Sequence, residues 1–256
     1  MLTFRNSLIL YTLTLAGLAS MVIYQHFSLL WPGLLTIGYA ALIGYGSARV
    51  ESSFFVKTVC HGPASRQQIA LTFDDGPTEM TLEILAILRR HSVAATFFCI
   101  GQRVNQWPDI VRQAHAEGHI IGNHSFSHGY WFDLFSTIQF QQELQLTNQA
   151  IQTAIGRQPA LFRPPYGVTT PNLAWAIRQR KLTCVGWNVR TMDTVITNET
   201  KLLARAVNAL APGTIFLFHD HVASTARMLE AFILEARNRG YEFVNLNQLL
   251  DVQPYV

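Results

Sequence analysis

The sequence predicts an α/β fold, a (β/α) barrel preceded by an apolar N-terminal region. Three observations predict it. From about Gln67, short runs rich in β-branched and aromatic residues alternate with longer stretches of helical periodicity, the pattern that builds a mostly parallel sheet from repeated βα units. Ionisable residues gather at the ends of the strand-like runs, where a barrel carries its chemistry. The apolar fraction, 49% of 256 residues against 14% charged, is most concentrated before residue 50.

At the N-terminus no charged residue occurs from Asn6 to Tyr24, and after Gln25-His26-Phe27-Ser28 a second uncharged stretch runs from Leu29 to Ala48. Each is close to the ~20 residues that a helix needs to cross a bilayer. Gly17-Leu18-Ala19 resembles a cleavage site, but apolar residues continue past it, which argues for an anchor rather than a removed signal peptide. The expectation is a membrane anchor over residues 1–50, with one or two transmembrane helices, Trp31-Pro32-Gly33 interrupting the second. Residues 51–66 read as a linker, and residues 67–252 as the catalytic unit.

Within that unit the patterning predicts strands over Gln68–Phe73, Ala94–Ile100, His119–Ile121, Ala160–Arg163, Leu182–Val189, Thr214–Phe218 and Tyr241–Val244. Helices are predicted over Glu79–His91, Pro108–Glu117, Thr137–Ile155, Pro171–Arg180, Glu199–Ala209 and Thr225–Arg239. The net charge of +3 is small and the Lys and Arg residues are scattered, so no nucleic-acid partner is expected. Cys60, Cys99 and Cys184 are odd in number, and the last two fall in strand-like runs, where reduced, buried thiols are expected.

The run Thr72-Phe73-Asp74-Asp75-Gly76-Pro77 ends a strand in two adjacent carboxylates, a costly arrangement unless each has a partner. Turn chemistry alone would also place Asp before Gly-Pro. Further on, His124 and His128 stand four residues apart, a spacing that turns both imidazoles one way on a helical turn and suits a divalent metal. With one carboxylate they make a set that leaves coordination positions open, as in catalytic zinc sites and in non-haem iron oxygenases alike. Arg163, Asp193 and His219 each follow another predicted strand, and Tyr166-Gly167 lies in a tight turn behind two prolines. Each has a bland reading as ion pair, helix cap or strand-end residue; together, at strand ends of one barrel, they converge.

The ordered set Thr72-Phe73-Asp74-Asp75-Gly76-Pro77, His124-Ser125-Phe126-Ser127-His128, Arg163-Pro164-Pro165-Tyr166-Gly167 and Leu217-Phe218-His219 resembles the polysaccharide deacetylases, the NodB-homology enzymes of carbohydrate esterase family four. The resemblance runs from about Gln67 to Leu250 and implies the distorted barrel of that family. It implies that Asp75, His124 and His128 hold a divalent ion, usually zinc, with cobalt or nickel as alternatives. It also implies that Asp74 is the general base, paired with Arg163, and that His219, oriented by Asp193, is the general acid. The backbone N–H of Tyr166, its direction fixed by Pro164 and Pro165, helps to hold the oxyanion, and Leu217 lines the acetyl pocket beside Pro165 and Tyr166. One motif departs: Arg190 and Thr194 stand where the family has Asp and Trp, which leaves the acyl-group size open. The aromatic run Tyr130–Phe135 has three readings, stacking on sugar rings, packing in the core or resting on the bilayer surface, and about half of it is expected to pack in the core.

The expected activity is removal of N-acetyl groups from N-acetylhexosamine units of a cell-envelope glycan. The alternatives are deacylation of a lipid-linked sugar and a non-catalytic glycan-binding role. Arg5 and Arg49, flanking the apolar segments, favour a cytoplasmic domain by charge. The polymeric substrates that the resemblance implies lie outside, so a domain anchored to the cell membrane and facing outward is expected.

Overall fold

The computed structural model describes residues 2–256. Its strands are β1 (Thr58–Val59), β2 (Gln68–Asp74), β3 (Thr96–Cys99), β4 (Ile120–Asn123), β5 (Leu161–Phe162), β6 (Thr183–Val185), β7 (Val189–Arg190), β8 (Ile215–His219) and β9 (Glu242–Phe243). The helices are α1 (Phe4–Gln25), α2 (Leu30–Ala48), α3 (Glu79–Arg90), α4 (Gly101–Gln106), α5 (Pro108–Ala116), α6 (Thr137–Ile155), α7 (Pro171–Gln179), α8 (Glu199–Asn208), α9 (Ala223–Asn238) and α10 (Leu246–Leu250). All strand pairings are parallel, in the order β1-β6-β5-β4-β3-β2-β8-β7, with β9 also on β2. Among the described residues no ladder joins β7 to β1, so the strands form an incomplete, distorted barrel.

Strand β2 shows why the sheet is buried on both faces. Ile69, Leu71 and Phe73 enter the cluster beneath the helices, against Leu85, Leu88 and Phe232, while Ala70 joins the cluster that holds Phe98, Leu161, Val185 and Ile215. A period of two separates the faces. Thr72 and Asp74 share the face of Ala70, and a small residue followed by polar ones there leaves room for a large side chain from across the barrel. Two helices begin at capping boxes: one of Thr78 and Thr81 opens α3, and one of Ser136 and Gln139 opens α6.

The structure differs from the sequence reading in several places. The stretch 51–66 is packed as part of the domain rather than strung out as a linker: Phe54, Phe55 and Val56 are buried, and β1 adds to the sheet beside β6. Apolar side chains in a row favour burial over solvent exposure, at roughly 1.5–3 kcal/mol for each large one. The run Leu182–Val189 is two strands, because Gly186 turns its N–H to Val59 and the Asn188 side chain accepts from Ile215. Between β3 and α5 lies α4, which the patterning did not separate; it ends at Trp107, ahead of Pro108.

Helices α1 and α2 form an antiparallel hairpin in which Tyr11 stacks on Tyr39 at 4.2 Å and its hydroxyl lies 3.2 Å from Thr36 Oγ1. Helix α1 alone among the described residues is long and apolar enough to cross a membrane. Trp31-Pro32-Gly33 does not interrupt α2, since Pro32 falls in its first turn, where proline is tolerated. The hairpin is tied to the domain at its base: Phe4 N donates to Phe54 O (2.9 Å), Ser47 Oγ to Thr169 O (2.7 Å), and Thr169 N to Ser47 O (3.1 Å).

Candidate metal centre and active site

Register alone assembles the site. Asp74 of β2 lies level with Phe98 of β3 and with His219 of β8; Cys99 lies level with Asn123, and Asn123 with Phe162. Carried one step on, the register sets Asp75 level with Asn123 and Phe162, and His124 and Arg163 one residue higher, all on the C-terminal rim.

Neighbouring residues on a strand point to opposite sides, yet both carboxylates reach His124. Asp75 adopts a positive φ of 74°, which swings its side chain back over the barrel mouth. Such a conformation costs on the order of 1–3 kcal/mol in a non-glycine residue and persists only where the surroundings hold it. Here Arg103 donates to the Asp75 carbonyl at 2.7 Å, and Ile100 N to the Gly76 carbonyl at 2.9 Å. Gly76 cannot be replaced cheaply, because a Cβ there would come within 1.9 Å of the Asp220 carboxylate.

His124 and His128 converge through a loop and not through the helical turn that their spacing suggested: Ser125 and His128 both have positive φ (64° and 48°). Glu143 of α6 holds the loop, its carboxylate accepting from Phe126 N (2.9 Å), Ser127 N (2.8 Å) and Ser127 Oγ (2.9 Å). Asn123 Oδ1 accepts from Ser125 N at 2.9 Å. Neither residue was singled out in the sequence, although Glu143 is the lone charged side chain in α6.

Asp75 Oδ1 lies 3.4 Å from His124 Nε2 and 3.2 Å from His128 Nε2, and one donor atom from each residue falls within 4.8 Å of the others. His124 Nδ1 is 2.8 Å from the Arg163 carbonyl. A carbonyl only accepts, so Nδ1 carries the proton and Nε2 offers its lone pair to the shared point. Two imidazoles and one carboxylate fit a divalent ion and leave positions over. Burial would raise the Asp75 carboxyl, but the hydrogen bond and charge of His124, with His128 and His219, hold it well below the carboxylate range. Burial and the nearby His124 charge push His128 down to about 4.

On one flank, Asp74 (3% exposed) meets Arg163 (0% exposed). Arg163 Nη1 donates to Asp74 Oδ1 (2.8 Å) and Thr72 Oγ1 (2.6 Å), Nη2 to Gly186 O (2.7 Å) and Nε to Val185 O (3.3 Å). The guanidinium sits 4.2 Å from the Phe98 ring centre, which explains the room left by Ala70 and Thr72. Asp74 Oδ2 remains, 3.8 Å from His124 Nε2.

On the other flank, His219 Nδ1 is 2.8 Å from Asp193 Oδ1, and Asp193 Oδ2 accepts from His219 N and Thr225 Oγ1, each at 2.7 Å. Burial would lower His219, but the hydrogen bond and charge of Asp193 raise it above the ordinary histidine value. With Nδ1 engaged, Nε2 is the free nitrogen. Tyr166 has a positive φ of 58° in the turn Pro165–Gly167, its ring 4.7 Å from that of His128 and its hydroxyl donating to the His128 carbonyl at 3.4 Å. Pro165 and Leu217 are buried, Leu217 in β8 level with Thr72.

Two residues beside the site were missed. His221 Nδ1 is 3.8 Å from Asp75 Oδ2, and Asp220 is fully buried, accepts from Thr81 (2.7 Å) and is pushed up by burial to about 7. The repeat His219-Asp220-His221 was the available signal. Thr194 and Arg190 are exposed, and a cavity of about 250 Å³ beside Thr194 is bounded by Asp193, Thr197 and His221. In the aromatic run, Phe132 and Phe135 pack inward, while Tyr130 and Trp131 are exposed.

A family model for polysaccharide deacetylase matches residues 61–185. A peptidoglycan-N-acetylglucosamine deacetylase of Bacillus cereus is 33% identical over 191 residues, covering 72% of this chain and 69% of that protein. The peptidoglycan-N-acetylglucosamine deacetylase of Listeria monocytogenes is 34% identical over 186 residues, but the match spans 39% of its length. Among solved structures, the Bc1960 peptidoglycan N-acetylglucosamine deacetylase superposes with a TM-score of 0.72 at 30% identity, covering 77% of this chain and 94% of that one.

Proposed function

Because the chain belongs to the polysaccharide deacetylase family, we propose that it is a metal-dependent hydrolase that removes N-acetyl groups from N-acetylhexosamine units of a cell-envelope glycan. The observation that carries this reading is the arrangement of acid–base groups. A donor set of Asp75, His124 and His128 lies between a carboxylate anchored by Arg163 and an imidazole anchored by Asp193. Amide hydrolysis needs one group to take a proton from water and another to protonate the departing nitrogen. A binding module needs neither.

In this reading Asp75, His124 and His128 hold a divalent ion, zinc for preference, which when bound supplies Lewis acidity toward the acetyl carbonyl and water. Asp74 accepts the water proton on Oδ2, the oxygen that Arg163 leaves free. Arg163 fixes the orientation of that carboxylate. The N–H of Tyr166, turned by its left-handed backbone, donates to the carbonyl oxygen as negative charge develops there. His219 gives the proton on Nε2 to the amine as the C–N bond breaks, and Asp193 steadies the imidazolium before that transfer. Leu217 and Pro165 bound the acetyl methyl. The glycan class is supported by two relatives named as peptidoglycan-N-acetylglucosamine deacetylases.

Residues 1–50 serve as membrane anchor and residues 67–252 as the deacetylase unit, with the domain on the outer side, where such glycans lie. The test is acetate release by the full chain from chitooligosaccharides and peptidoglycan fragments, followed by mass spectrometry of the sugars. Deacetylated product with zinc, cobalt or nickel is expected. No product from any substrate with any of the three ions would move the chain to the glycan-binding reading.

A further inference from the structure

We infer that the exposed rim of Tyr130, Trp131, Leu134 and Ile138 is seated in the surface of the bilayer that the α1–α2 hairpin enters, so that the active site opens onto the membrane. The inference rests on the anchor and deacetylase readings above and adds where the site faces. All four side chains are well exposed, at 80%, 65%, 76% and 69%. Tyr130 and Trp131 pack edge to face on each other at 4.9 Å, and with Leu134 they border a hollow that Tyr166 closes on the side of the metal ligands. No Lys or Arg occurs between His119 and Gly156. Asp133, half-buried inside the run, also lines that hollow, with its Oδ1 shielded from solvent. Aromatic side chains with a polar edge favour the membrane–water interface.

Continuity with the hairpin says what covers this patch. Followed backward from Ser47, which is bonded to Thr169 in the loop after β5, α2 lays Ile43 and Leu42 on the cluster that contains Phe132 and Phe140 and against which Phe135 also packs. Phe132 and Phe135, which alternate with the rim residues along the loop, thus share one apolar cluster with the hairpin, and Asn172, just past Thr169, donates to the Phe135 carbonyl at 3.3 Å. Beyond Leu42 the only partly covered residues of α2, Tyr39 among them, recur at the spacing that faces α1. Length then fixes the depth. Past Ser7, the last buried residue of α1, Leu8 to Gln25 rise only about 27 Å, against a hydrocarbon core of roughly 30 Å. No spacer remains between domain and lipid, so the loop that shares the base of the hairpin lies at the interface. A glycan held at the membrane surface therefore reaches the site more readily than the same sugar free in solution.

The test uses the full chain in vesicles of phosphatidylethanolamine and phosphatidylglycerol. Because Cys60, Cys99 and Cys184 are buried, a thiol dye sensitive to polarity reports from Leu134→Cys, with Gln152→Cys, at the far end of α6, and Leu13→Cys, on the hairpin, as references. Blue-shifted emission and quenching by spin-labelled lipid are expected at 134 and 13, and neither at 152. A 134 label as wet as the 152 label overturns the inference, and a wet label at 13 overturns it together with the anchor. In the second arm, Tyr130→Ser/Trp131→Ser/Leu134→Ser should deacetylate soluble chitooligosaccharide within about twofold of the parent but lose about tenfold on the same oligomer coupled to phosphatidylethanolamine in the vesicle. Equal losses on both would make the rim a sugar platform and refute membrane seating. If no substrate is turned over, the deacetylase reading fails while the dye still decides the orientation.

Discussion

Replacing Arg163 with methionine should destabilise the domain by about 3–5 kcal/mol, the range found when one partner is removed from a buried ion pair. The guanidinium is wholly enclosed and donates to Asp74, Thr72, Val185 and Gly186, so methionine, of similar length, fills the space but leaves Asp74 buried without a cation. Against a total stability of roughly 5–15 kcal/mol, that is a large fraction. If the stranded carboxylate is the cause, neutralising it should recover part of the loss. Arg163→Met/Asp74→Asn should then be more stable than the sum of the single changes allows, with a coupling of about 2 kcal/mol, within the range for side chains in contact. Guanidinium chloride unfolding followed by tryptophan fluorescence measures it, with an unchanged slope as the check that unfolding still exposes the same surface. Additive losses within about 0.5 kcal/mol would refute the reasoning and leave packing around Phe98 as the origin of the effect.

Further outcomes follow from the other two groups of residues. His124→Ala should abolish binding of zinc, measured by metal analysis after dialysis, while a variant with its metal content intact would remove His124 from the ligand set. Asp74→Asn and His219→Ala should each keep the metal and the fold but lower kcat by about 10²–10⁴, the usual scale for positioned acid–base groups. Asp193→Asn tests the acid: His219 must be protonated to act, and Asp193 raises its pKa, so activity is present at low pH and lost as pH rises through that value. The variant should move the alkaline limb of kcat/KM to lower pH, and an unmoved limb would assign it to another group.

The barrel and the height of the site residues could be read from the chain because both follow from local periodicity. Strand β2 has the alternation, and each chemical residue stands at or just past a strand end, so parallel register carries them to one rim with no further information. What escaped depends on partners distant in sequence. The conformation of the loop from His124 to His128 is set by Glu143, which lies on the next helix, and a spacing of four residues fits a helical turn equally well. The burial of Phe54 and Phe55 depends on Phe4 and on α7, neither of which a reading of residues 51–66 contains. The break between β6 and β7 depends on Val59 and Ile215. In each case the local pattern allowed more than one answer and a long-range contact chose.

The same contacts explain why two adjacent carboxylates are tolerated at the end of an apolar strand. Repulsion between neighbouring charges is relieved when the two are given partners of different kinds, and the positive φ of Asp75 makes that division possible while keeping both on one rim. Asp74 faces a permanent cation, Arg163, which also donates to the backbone carbonyls of Val185 and Gly186. Asp193 faces His219, which matches its charge when protonated. Asp220, pushed up by burial to about 7, carries only part of a charge near neutral pH. The carboxylate left without a fixed cation is therefore Asp75, and its nearest side-chain partners are two imidazoles whose nitrogens converge on it. A half-buried carboxylate beside two imidazoles gains a fixed countercharge when a divalent ion is held between them. The charge balance of the pocket thus supports the proposed metal position by an argument separate from the spacing of the histidines.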